Sequence, residues 1–121
     1  MSDLAQIAPP YSLVLVEDET GGELPDMVEG SRIAATDSCV AVGTRCEIDD
    51  ETEFRLGAHP DVDPGTQPIF QGRLETPSRR LAIRSVLNEI ILQTPVPLPE
   101  TMIYIRVNHP TEPDQVIVGT A

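Results

Sequence analysis

Few residues in this chain are of types that bind metals or do catalysis. Cys39, Cys46, His59 and His109 together make a two-cysteine, two-histidine set of the composition that holds zinc tetrahedrally. Their spacing argues otherwise, since no Cys-x-x-Cys pair occurs and both histidines precede proline in turn-forming sequence. Asp61-Val62-Asp63-Pro64-Gly65 places two carboxylates at the spacing calcium loops use, because the ion needs several oxygens around a sharp turn. The bidentate glutamate such a loop requires is missing, since Gly72 stands at that position, and Pro64 stiffens the turn. Nucleophilic catalysis needs a serine, cysteine or threonine beside a histidine oriented by a carboxylate, yet both histidines lie in His-Pro turns and no Gly-x-Ser-x-Gly elbow exists. Neither enzymatic activity nor a cofactor or metal is expected. A small-molecule or metal-binding role through residues 59–65 is the alternative.

The remaining chemistry is charge. Twenty acidic residues stand against eight basic ones, all arginine, for a formal net charge of −12. A surface of that sign repels the phosphate backbone, so nucleic-acid binding is not expected, whereas it attracts a basic protein and speeds the encounter. The carboxylates concentrate in three stretches, Glu17-Asp18-Glu19, Asp49-Asp50-Glu51 with Glu53, and Asp61 with Asp63. These nine residues are the candidate protein-binding surface, on the expectation that the loops of a β-sandwich gather at its ends. Arg73, Arg79, Arg80 and Arg84 supply the opposite sign in one compact stretch.

The elements that must carry these loops read as strands. Tyr11–Val16 is β-branched and apolar, closed by the polar run from Glu17. Residues 24–30, interrupted by Pro25, read as a connection, and 31–35 and 38–43 as short strands. Arg45–Ile48 and Thr52–Leu56 read as a hairpin around the acidic tip 49–51. Residues 57–68 are rich in turn formers and read as a loop. Phe70, Gly72 and Leu74 then fall on one face of a strand, Leu81, Ile83 and Ser85 on one face of the next, and Ile90–Leu92 make a third. Pro95, Pro97 and Pro99 fix φ and remove backbone donors, which confines that segment to an edge or a crossing. Ile103, Ile105 and Val107 alternate with Tyr104 and Arg106, and Val116–Val118 closes the chain.

About eight or nine short strands with no helical periodicity predict an all-β antiparallel β-sandwich. The length suits a single domain over 9–121, preceded by a flexible segment 1–8. With two Phe, two Tyr and no Trp, the core must be mainly aliphatic. Cys39 and Cys46 are read as reduced, structural thiols, and with no signal-like or membrane-spanning run a cytoplasmic location is expected.

Gly72-Arg73-Leu74-Glu75-Thr76-Pro77-Ser78-Arg79-Arg80-Leu81-Ala82-Ile83 resembles the strand, Val-Pro-Ser-Gly-Arg-Leu, strand segment of bacterial competence protein J-like domains. Val40–Thr44 resembles the strand entering that family's first hairpin, and Leu98–Val107 its Pro-Gly-Thr-Tyr-Arg-Val strand. Arg79 stands where the family's turn has Gly, and residues 108–114 replace its acidic, Tyr- and Trp-containing C-terminal segment. The name-giving member inhibits a competence nuclease, so the resemblance implies a β-sandwich and an inhibitor-type role. The expectation is a non-catalytic, acidic protein-binding domain, of the kind that serves as an inhibitor or immunity-type protein for a basic enzyme such as a nuclease. Pairing of an exposed strand edge with a second copy would make a homodimer.

Overall fold

The computed structural model describes residues 2–26, 33–44, 51–63, 65–109 and 113–121. It contains ten strands: β1 (Ser2–Ile7), β2 (Leu13–Asp18), β3 (Ile33–Ala35), β4 (Cys39–Gly43), β5 (Thr52–Ala58), β6 (Phe70–Glu75), β7 (Arg80–Ser85), β8 (Ile90–Pro95), β9 (Glu100–Val107) and β10 (Gln115–Thr120). They form two five-stranded sheets, ordered β1-β5-β10-β9-β6 and β3-β4-β2-β7-β8. All neighbours are antiparallel except β5 and β10, which run parallel with Val116 beside Phe54.

The core forms where the apolar positions of alternating strands face each other across the sheets. Val14 and Val16 of β2, Val40 and Val42 of β4, and Leu81 and Ile83 of β7 meet the inward side chains of the other sheet. Those include Phe54, Leu56, Ile103, Ile105, Val116 and Val118, all fully buried. This is the aliphatic core expected, with Phe54 its largest side chain. Truncating Phe54 to alanine would cost roughly 3–5 kcal/mol.

Three expectations are corrected. Residues 2–7 of the segment read as flexible form β1, whose Ser2–Ile7 pairs with Gly57–Thr52 and whose Ile7 packs against the core. The second arm of the expected 45–56 hairpin exists as β5, but β1 and β10 occupy both its edges, leaving none for a hairpin partner. The first arm lies outside the described residues. Finally, β2 starts later and ends later than its sequence suggests. A 3-10 turn at Pro10–Ser12 precedes it, with Tyr11 and Ser12 at φ of 59° and 55°, and the strand runs on through Glu17 and Asp18.

After β5 the chain folds back over the outer face of the first sheet, where the Thr66 carbonyl meets Arg106 Nε. This stretch opens with a single helical turn, α1 (His59–Val62), which packs on β10. Gly119 of β10 permits this, because a Cβ there would lie 3.0 Å from the His59 Cα. β8, ending at Pro95, is an edge strand, as the proline spacing requires.

Candidate functional site

The alternation of β2 sends its two terminal carboxylates in opposite directions. Glu17 emerges on the outer face of the second sheet, 3% exposed, where its Oε1 accepts a 2.8 Å hydrogen bond from Arg84 Nη1 and its Oε2 one from the Gly22 N–H. Arg84 completes the loop by donating through Nη2 to the Glu19 carbonyl at 2.5 Å. Cys39, paired in register with Glu17, is wholly buried beneath this ion pair. Burial, reinforced by the negative charge of Glu17 and a hydrogen bond to it, pushes the Cys39 thiol up to about 12. It is a protonated, inert thiol at neutral pH.

Asp18 turns inward at the end of the core and is 1% exposed. Its Oδ1 accepts from the N–H and Oγ of Ser78, at 3.0 and 2.8 Å, and its Oδ2 from the N–H and Oγ1 of Thr20, at 3.0 and 2.5 Å. Burial alone raises this carboxyl; the Thr20 and Ser78 hydrogen bonds outweigh it and hold the group below its ordinary value. Asp18 thereby ties the end of β2 to the turn between β6 and β7. Two of the nine candidate residues, Glu17 and Asp18, therefore have their carboxylate oxygens engaged by donors within the fold. The sequence places both in a loop, because their partners are distant along the chain.

The other candidates do not converge. Glu19 is at the end of the sandwich where β6 turns into β7 and β8 into β9, with its carboxylate 2.9 Å from Arg80 Nε. Glu51 and Glu53 are at the opposite end, where β5 begins; Glu53 accepts from Gln115 Nε2 at 2.7 Å. Asp49 and Asp50 lie outside the described residues. Asp61 is exposed in α1, and Asp63 follows it on the outer face of the first sheet. Among the described residues, Glu19, Glu51 with Glu53, and Asp61 with Asp63 thus occupy two ends and one face.

Residues 59–63, 65 and 66 make several contacts with the sheet and with one another. The His59 and Tyr104 rings lie 4.1 Å apart, Arg106 sits 5.9 Å from the Tyr104 centroid and Arg106 Nε donates to the Thr66 carbonyl at 2.7 Å. Asp63 accepts from the Gly65 N–H at 2.8 Å and lies 3.5 Å from Arg106 Nε. Its neighbours are therefore donors rather than the further carboxylates a calcium loop would supply. The zinc set is also separated, with Cys39 on the outer face of one sheet and His59 on that of the other. Among the described residues no group of three or more His, Cys, Asp or Glu is placed to share a metal, and no helix is long and apolar enough to cross a membrane.

The surface at the β6–β7 end is not legible in the sequence. Four segments meet there: 19–23 after β2, 36–38 between β3 and β4, 75–79 and 96–100. The Glu75 N–H donates to the Asp37 carbonyl at 2.9 Å, the Glu23 N–H to Ser38 Oγ at 2.8 Å and the Thr76 N–H to the Pro99 carbonyl at 2.7 Å. Gly22 allows the first two segments to touch, since a Cβ on it would lie 2.1 Å from the Ser38 carbonyl oxygen. The isolated acids Glu23, Asp37, Glu75 and Glu100 gather there, and only the long-range pairing brings them together.

No protein-family model and no curated protein sequence matches the chain. Among solved structures, it is similar to ComJ from Bacillus subtilis, an inhibitor of the DNA degrading activity of NucA, with a TM-score of 0.61 and 12% identity. The likeness covers 99% of this chain and 96% of that one. At this identity it shows a shared fold, and that fold is the one implied by the resemblance to competence protein J-like domains.

Proposed function

We propose that this chain is a non-catalytic, acidic protein-binding domain that inhibits a basic enzyme, with a DNA-degrading nuclease as the target class. The likeness in fold to ComJ, an inhibitor of the DNA degrading activity of NucA, carries the reading, because it runs over 99% of this chain. The net charge of −12 supports it, since a basic partner is drawn to such a surface. The arginines point the same way. Among the described residues Arg55, Arg73, Arg80, Arg84 and Arg106 each face a carboxylate within 4.0 Å, so the charge of these five is partly neutralised before any phosphate approaches.

The test is to titrate the purified chain into the basic protein fraction of the source cell, retained on a cation exchanger, and follow degradation of linear duplex DNA. Saturable inhibition that weakens as salt rises is expected. Undiminished DNA degradation at excess chain, with no complex by sedimentation, would dismiss the reading.

A further inference from the structure

The loop from β8 to β9 presents an apolar ridge on the β6–β7 end. Pro95, Pro97 and Pro99 restrict its backbone, and hydrogen bonds pin it to the neighbouring turn. The Val96 N–H donates to the Arg79 carbonyl at 2.9 Å, and Thr76 Oγ1 to the Leu98 carbonyl at 2.8 Å. Val96 is buried, yet Leu98 stands out 60% exposed. An apolar side chain on so constrained a loop loses little conformational freedom on docking, so most of the gain from burying it remains as affinity.

Recesses flank the ridge. One, of about 290 Å³, is lined by Arg73, Pro97, Met102 and Ala121; the other, of about 430 Å³, by Gly22, Ser38, Glu75, Pro77 and Pro99. Leu98 lines the first and Glu100 borders both. Charge around the ridge is uneven. Arg73 is taken up by Glu100 and Arg80 by Glu19, both at 2.9 Å, whereas Glu23, Asp37 and Glu75 are exposed and make no ion pair among the described residues. An apolar centre with a charged, solvated rim is the anatomy of a protein interface.

We infer that the Leu98 ridge, with Glu23, Asp37 and Glu75 on its rim, is the surface that docks the basic partner. The ridge enters an apolar depression of that partner, and its arginine or lysine side chains meet the three carboxylates. This assignment rests on the protein-binding reading above and replaces the three acidic loops with one place.

The experiment compares Leu98→Asp, Glu75→Lys and the control Leu87→Asp with the wild-type chain, in the same DNA-degradation assay with the cation-exchange fraction. Leu87, 57% exposed, lies in the turn after β7 at the far end of the sandwich. All three substitutions are at exposed positions, and melting temperatures verify that each variant is folded. Leu98→Asp is expected to raise the half-inhibiting concentration about tenfold or more. Glu75→Lys should raise it about three- to tenfold, with a deficit that shrinks toward roughly 0.5 M salt. Leu87→Asp should match the wild type. Wild-type potency in both ridge variants, or a loss confined to Leu87→Asp, would overturn the assignment while leaving the inhibitor reading intact. A wild-type dimer that Leu98→Asp dissociates without loss of inhibition would make the ridge a self-association surface and also overturn it. Failure of the wild-type chain to inhibit would remove the protein-binding reading itself, and this assignment with it.

Discussion

Asp18 shows how a single carboxylate can hold two sheets together. Each oxygen receives a pair of donors, from Thr20 on one side and Ser78 on the other, so no orientation of an amide would satisfy all four. Asp18→Asn keeps the shape but points an NH2 at one donor pair and removes the charge that strengthens the other. A loss of about 3 kcal/mol follows, measured by urea unfolding at pH 7. The pH dependence has a definite sign. The folded carboxyl titrates below its ordinary value, so its contribution is complete above the unfolded value of about 3.9 and is lost as pH falls through the folded one. The gap between wild type and Asp18→Asn should therefore narrow as pH drops from 7 toward 3. A gap constant across that range would mean that the carboxylate's charge is not what matters.

At the scale of elements, two positions set sterics against propensity. Gly119 sits in a strand, where a β-branched residue is ordinarily preferred by up to about 1 kcal/mol. A Cβ there would press to 3.0 Å from the His59 Cα and 3.3 Å from Val62 Cγ2, so α1 would have to lift from β10. Gly119→Val should destabilise the fold by roughly 1–3 kcal/mol and Gly119→Ala by less, read from denaturant midpoints. Arg79 presents the reverse case. It holds φ of 60° at the end of the β6–β7 turn, where competence protein J-like domains have Gly, and has no ion pair among the described residues. A left-handed conformation costs an L-residue about 1–2 kcal/mol, against about 0.5–1 kcal/mol for the extra freedom glycine loses on folding. Arg79→Gly should therefore stabilise by about 0.5–1 kcal/mol, and a lower melting temperature would contradict this account.

The same elements show what local pattern could reveal. β6, β7, β9 and β10 were legible because alternation puts Leu74, Leu81, Ile83, Ile103, Ile105 and Val116 on the core side. β1 was not, since Ile7 is its one large side chain packed against the core and its pairing with β5 joins residues about fifty positions apart. The parallel contact of β5 with β10 is equally non-local. Glu17 and Asp18 look like a polar run closing the strand because Arg84 and Ser78, which make their burial tolerable, follow 67 and 60 residues later. The ridge at Leu98 was visible only as a run of prolines, while the carboxylates beside it lie in four separate segments.

For the molecule as a whole, the net charge of −12 makes salt act on folding and on binding in opposite directions. Like charges crowded onto a small folded chain repel, and this repulsion opposes compaction. Raising sodium chloride from about 0.02 to 0.3 M shortens the Debye length from ~20 to under 10 Å and screens it. The melting temperature of the free chain should rise by a few degrees, the paired arginines offsetting part of the gain. Docking to a basic partner rests on attraction across the interface, so the same salt increase should slow association and raise the half-inhibiting concentration. Measuring both quantities in one series of buffers separates the two effects. If inhibition strengthened together with stability, the partner would be recognised by apolar contact alone and the carboxylates at Glu23, Asp37 and Glu75 would serve solubility rather than recognition.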